Sequence, residues 1–242
     1  MISQAEIPDL AAVISSIAAR SVSQLDWGLP EPWLHAEVFA ALKNQSKVSG
    51  WQPFDTELPY LTWYPVTLPK LANRKWHEQG AFKYVDLCIR NPHENHWCWV
   101  EFKVRHADGS ARKGVGAKSA LDALGKDFVG LVGMDPVRTA FYWDQPDPSI
   151  DSYWLRSALT PLSGRLSSGS HSLVSVYLQL NDNLHEDVFS ESQIRSRIKT
   201  WHETRRRISQ HESDLPSFSI SKAEDVAGRH SLIICESELR RI

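Results

Sequence analysis

Two stretches of this chain, Lys83 to Arg90 and Trp97 to Val104, are almost wholly apolar, yet each holds a carboxylate in its middle: Asp86 in the first and Glu101 in the second. The segment Asn91-Pro92-His93-Glu94-Asn95 between them is polar and of hairpin-turn length, so the two read as neighbouring antiparallel strands. Side chains alternate along a strand. Tyr84, Asp86 and Cys88 are therefore expected on one face and Val85, Leu87 and Ile89 on the other. In the second strand Trp97, Trp99, Glu101 and Lys103 share a face, opposite Cys98, Val100, Phe102 and Val104. A lone carboxylate buried in apolar β-structure costs several kcal/mol unless it is paired or bound to a metal. Two such acids on adjoining strands call for one explanation, and a divalent cation supplies it: Asp86, Glu101 and the backbone carbonyl of Phe102 are hard oxygen donors of the kind Mg²⁺ accepts while keeping some of its waters. Lys103 would then reach the bound water or a phosphate.

The rest of the chain predicts helices interleaved with strands. Leu10, Val13, Ile14 and Ile17 are spaced for an opening helix from Ile7 to about Arg20, and a second should begin near Glu31-Pro32 and carry Glu37 on its apolar face. Pro53, Pro59, Pro65 and Pro69 leave only short extended pieces between Ser49 and Gly80. Ala117 to Val132 trace a helix that should cover the sheet. Beyond it the pattern predicts a strand over Arg138 to Trp143, a short helix over Ile150 to Leu159, a Ser/Gly loop over Ser163 to Ser170 and a strand over Leu173 to Leu180. A long helix from Ser190 to about Gln210 should place Ile194, Ile198, Trp201 and Ile208 inward and Arg195, Lys199, Arg205, Arg206 and Arg207 largely outward. Leu232, Ile233 and Ile234 suggest a last strand. The expected fold class is α/β, with a central mixed sheet, and the 242 residues suit a single domain.

Asp86, then Glu101-Phe102-Lys103 on the next strand, with Glu37 on a preceding helix, resembles the PD-(D/E)XK nuclease superfamily. Val85 stands where the family's name has Pro. The resemblance covers about residues 31–143, with residues 144–242 as additions. It implies a restriction-endonuclease-like, three-layer core, a central mixed sheet flanked by helices. It also implies an Mg²⁺-dependent nuclease, with Mn²⁺ as an alternative ion, that hydrolyses nucleic-acid phosphodiesters, DNA more than RNA. Asp86 and Glu101 would hold the metal with Glu37 in support, and Lys103 would orient or activate the attacking water. A homodimer or another protein partner is compatible with it. The alternative readings are a nuclease-like fold that binds nucleic acid or protein without turnover, and a structural component of a larger assembly.

With 27 Lys and Arg against 29 Asp and Glu, the formal charge of −2 provides no global field for polyanions, so a nucleic-acid surface must be a local patch. Arg112, Lys113 and Lys118 flank Gly114-Val115-Gly116, where phosphate could meet backbone N–H groups, and Arg205 and Arg206 form part of the second basic stretch. Arg112 stands where a P-loop needs its first Gly, and His93 and His96 lack the spacing of a zinc pair; both sites are rejected. Cys88, Cys98 and Cys235 form no C-x-x-C pair and read as buried thiols of a reducing compartment. The ten tryptophans read first as core packing, with base stacking as the sharper alternative. With no basic leader and no run of ~18 apolar residues, the expectation is a cytoplasmic protein without a membrane anchor.

Overall fold

A computed structural model describes residues 8–20, 31–55, 58–63, 81–106, 115–144, 158–180, 189–209, 214–226 and 230–239. Two helices open it, α1 (Leu10–Arg20) and α2 (Glu31–Ser49). Asp9 Oδ1 accepts the Ala12 N–H and caps α1, while Gly50, at φ 72°, ends α2 in the left-handed conformation that glycine adopts without steric cost. Then come β1 (Gln52–Asp55), β2 (Leu58–Thr62), β3 (Ala81–Val85), β4 (Leu87–Asn91) and β5 (His96–His106). The hairpin between β4 and β5 is present, its turn closed by Asn91 Oδ1, which accepts the N–H groups of His93 and Glu94.

The helix α3 (Val115–Val132) crosses from β5 to β6 (Ser170–Leu180), which pairs parallel to β5. The remaining elements are α4 (Pro136–Asp144), a 3₁₀ turn leading into α5 (Ser163–Ser168), α6 (Glu191–Ser209), β7 (Phe218–Val226) and β8 (His230–Leu239). One mixed six-stranded sheet runs β1-β4-β5-β6-β8-β7, and β2 pairs with β3 in a separate two-stranded sheet. The chain is thus α/β. Three of the six strands of the main sheet, β6, β7 and β8, come from beyond residue 143, where the sequence reading had placed additions to the core.

Hydrophobic burial covers both faces of the main sheet. On one side α1 and α2 bring Leu10, Ile14, Leu34, Val38 and Leu42 against Leu87, Ile89, Cys98, Val100, Phe102, Val174 and Val176. On the other, Leu121, Leu124 and Phe128 of α3 and Ile194 and Ile198 of α6 pack with Cys88, Trp97, Trp99, Leu173, Tyr177, Ile233 and Cys235. Trp51, Trp97, Trp99 and Trp143 are fully buried, as core packing requires. Their place in the core leaves them no face for base stacking.

Three local expectations are corrected. Arg138 to Trp143 is helical because Asp135 Oδ1 accepts the Arg138 N–H and Pro136 fits a first helical turn; Thr139, Ala140 and Trp143 then form the buried face. Ser163 to Ser168 is a helix, and β6 starts immediately after it at Ser170. The strand β7 was missed because it is an edge strand, with exposed Ser219, Ser221 and Lys222 against half-buried Phe218, Ile220 and Ala223. The expected helix over Ile150 to Leu159 lies mostly outside the described residues.

Candidate functional site

The stretch expected as one strand, Lys83 to Arg90, is two strands with a bend at Asp86. The cause is a choice of partners. Leu87, which pairs with Val100, is where the chain joins the main sheet; before it, β3 pairs with β2 instead. The Asp86 side chain continues the ladder where the backbone departs: Oδ2 accepts the N–H of Phe102 at 2.7 Å. The bend also resets the side-chain phase, so Val85 and Cys88 join the same core cluster, contrary to strict alternation.

Across the bend, Lys83 and Tyr60 are directly opposed on β3 and β2, and both converge on Glu101. The Lys83 ammonium donates to Glu101 Oε1 at 2.6 Å and lies 3.8 Å from Asp127 Oδ1 on α3. The Tyr60 hydroxyl donates to the same Glu101 oxygen at 3.4 Å. Glu101 is only 6% exposed. Burial pushes its carboxyl up to about 8; Lys83 pulls the other way, and Asp86 and Asp127 add to the rise. Burial, reinforced by the charges of Glu101 and Asp127, also raises the Tyr60 phenol well above its usual value, so Tyr60 stays a donor.

Each residue singled out in the sequence can now be placed. Asp86 is near enough to Glu101 for its charge to add to the rise of the Glu101 carboxyl. Lys103 follows Glu101 at the next position on the same face and stands half-buried, opposite Tyr177 in the parallel ladder. Glu37 is half-buried on α2, and the helix packs on the Phe102 side of the sheet, away from the face that carries Glu101. From α2 it is His35 that reaches Asp86, its Nε2 lying 3.9 Å from Asp86 Oδ2 while its ring sits 5.0 Å from that of Phe102.

The sequence reading missed Lys83, Tyr60, Asp127 and His35. Lys83 left one trace: it stands two residues before Val85, hence in phase with a buried position. Asp127 likewise sits between the apolar positions Leu124 and Phe128 of α3. Nothing local in the sequence ties either to Glu101, since α3 and β3 meet β5 only in the folded chain. Compared with known proteins, the chain matches no family model, no curated protein and no solved structure.

The basic residues are placed unevenly. Arg205 is corrected: it is 2% exposed, with its guanidinium 5.2 Å from the Trp201 ring centroid, and is unsuited to a nucleic-acid contact. Arg206 and Lys118 are exposed; Arg112 and Lys113 lie outside the described residues. Along α6, Arg195 pairs with Glu191 at 2.7 Å and Arg197 with Asp122 at 3.2 Å, so part of the helix's charge is already neutralised. No helix among the described residues is long and apolar enough to cross a membrane.

Among the described residues, no group of three or more His, Cys, Asp or Glu side chains is arranged to hold a metal ion. Asp86 and Glu101, with a backbone carbonyl such as that of Phe102, are nonetheless hard oxygen donors of the kind Mg²⁺ uses when most of its remaining ligands are water. In chemical type the site fits that ion.

Proposed function

We propose that the chain is a metal-dependent nuclease of restriction-endonuclease-like type, acting on phosphodiester bonds of nucleic acid, DNA before RNA. The observation that carries the reading is Glu101: a carboxyl buried to 6% exposure, with Asp86 beside it and an amine on it. A fold that needed only packing would place an apolar residue there, since a buried ion pair is often no more stabilising than a well-packed apolar one. A mixed sheet with helices on both faces, and the acids on adjoining strands where one of them bends away, support the same reading.

Asp86 and Glu101 would hold the cation, the Phe102 carbonyl completing the protein donors. When bound, the ion neutralises the non-bridging phosphate oxygens and makes a bound water more acidic. The chain's own part is positional. Phe102 N–H fixes the Asp86 carboxylate through one oxygen, and β5 holds Glu101 in register with it. Lys83 supplies an ammonium on the Glu101 oxygen, and Lys103, further along that face, is the second amine for a phosphate oxygen. His35 lies beside Asp86 from the α2 side, its Nε2 3.9 Å from Oδ2.

The test is hydrolysis of plasmid DNA, single-stranded DNA and RNA with Mg²⁺ and with Mn²⁺. Asp86→Asn and Glu101→Gln should each lower the rate by about 10²–10³, the range seen when one preorganised electrostatic group is removed. Cleavage that survives Glu101→Gln undiminished overturns the reading. A second reading, a nuclease-like fold that binds without turnover, is favoured by the 2.6 Å Lys83–Glu101 bond, which satisfies the buried acid with no metal. Salt-sensitive nucleic-acid binding without metal-dependent cleavage would select it.

A further inference from the structure

Within that reading, we propose that Lys83 is the resident cation of the Glu101 site: its ammonium stands where a divalent ion would draw on the same carboxylate, and the ion's entry moves it from Glu101 to Asp127. The inference rests on the nuclease reading in needing a divalent ion at Asp86 and Glu101.

Three observations carry it. First, the ammonium is held inside the protein, with 12% of the Lys83 side chain and 7% of the Glu101 side chain exposed, so it is no surface partner of chance. Second, its second acceptor is already in place: Asp127 Oδ1 at 3.8 Å is too long for a full hydrogen bond and short enough to become one with a small rotation of the lysine stem. Third, the lysine stem already lies against α3, the helix that carries Asp127. The stem lies across Gly130, where a Cβ would stand 3.4 Å from Nζ and 3.8 Å and 3.9 Å from Cδ and Cε.

A divalent ion bonded to the Glu101 carboxylate and an ammonium 2.6 Å from the same group would be neighbouring cations in a medium that screens poorly, and their repulsion disfavours joint occupancy. The metal therefore binds against Lys83. Removing the amine removes the competitor.

The experiment is Mn²⁺ binding to the full chain without nucleic acid, read by calorimetry and by the paramagnetic signal of free Mn²⁺. Lys83→Met should bind Mn²⁺ about tenfold more tightly than the parent, while Glu101→Gln should bind it at least tenfold more weakly. If Glu101→Gln weakens binding and Lys83→Met does not strengthen it, the metal site stands and the exchange is overturned. If Glu101→Gln changes nothing, both fall. Should Lys83→Met fail to fold, the parent protein decides: reductive methylation of Lys83, followed by mass spectrometry, should be slow without metal and faster with saturating Mn²⁺. An unchanged rate overturns the exchange.

Discussion

On the face of β5 that packs under α1 and α2, Cys98, Val100 and Phe102 meet Leu87, Ile89, Val174 and Val176, and the core is apolar through the middle of the strand. On the α3 face the same strand begins in the same way, with Trp97 and Trp99, and then turns to Glu101 and Lys103. The difference lies in what covers each. The Phe102 face is roofed mainly by side chains that offer carbon, His35 of α2 being the exception, while the Glu101 position is met by Lys83, Tyr60 and Asp127 from three other elements. A buried polar group persists where several elements each bring a partner, and the neighbouring position one residue away has no such supply.

The comparison can be broken most forcefully on its apolar side. Phe102→Ala should lower the unfolding free energy by about 3–5 kcal/mol, the cost of a large core truncation with its cavity, measured by urea denaturation. A loss under about 1 kcal/mol would mean that this face is not the rigid half.

On the polar side the expected effect depends on pairing. Lys83→Met alone should cost up to about 3–5 kcal/mol where Glu101 must remain ionised, because an uncompensated charge is left buried. The double variant Lys83→Met with Glu101→Leu should recover most of that loss, as paired ions replaced by apolar groups usually do. If both single variants and the double lose equally, the pair is no unit.

A smaller effect follows from the pH. The folded carboxyl of Glu101 sits at about 8 against an ordinary 4.5, so between those values the folded state holds a proton that the unfolded chain has released. Stability is therefore fully present below the ordinary value and falls as the pH rises through the window, and Glu101→Gln should flatten the slope. A divalent ion needs the ionised carboxylate, so the stabilisation it confers should grow with pH over the same range. Thermal unfolding at several pH values, with and without Mg²⁺, reads both signs.

The smallest effects separate the two arginines of α6. Arg206→Ala should leave stability within about 0.5 kcal/mol, as exposed substitutions do, and at most lower the salt slope of nucleic-acid binding by about one. Arg205→Ala should do the reverse, destabilising the α6 packing through its lost contact with Trp201 and leaving the salt slope alone.

Much of the sheet was legible because its strands announce themselves locally. Trp97 to Val104 alternates between two cores, Leu173 to Leu180 is apolar but for Ser175 and Gln179, as suits a strand buried on both faces, and Asn91 to Asn95 is turn chemistry. The strand β7 was not legible, since an edge that faces solvent with Ser and Lys resembles a loop. The short helix α4 was misread because its aromatic, β-branched composition outweighed the Asp135-Pro136 start signal. Within the site, Asp86 and Glu101 stood out as acids in apolar strands, whereas Lys83 looked like an ordinary strand-end lysine.

By itself the sequence determined the α/β class, the hairpin and the two acids that hairpin brings side by side, because each of these follows from neighbours close along the chain. Only the tertiary structure decided which groups complete the site. The bend at Asp86 sends β3 to β2 and swings Lys83 and Tyr60 over Glu101, and the packing of α3 brings Asp127 to the same amine. Those partners stand 18 to 41 residues from Glu101 in the chain. Contacts at such separations are set by how layers pack and leave no periodic mark in the residues that make them.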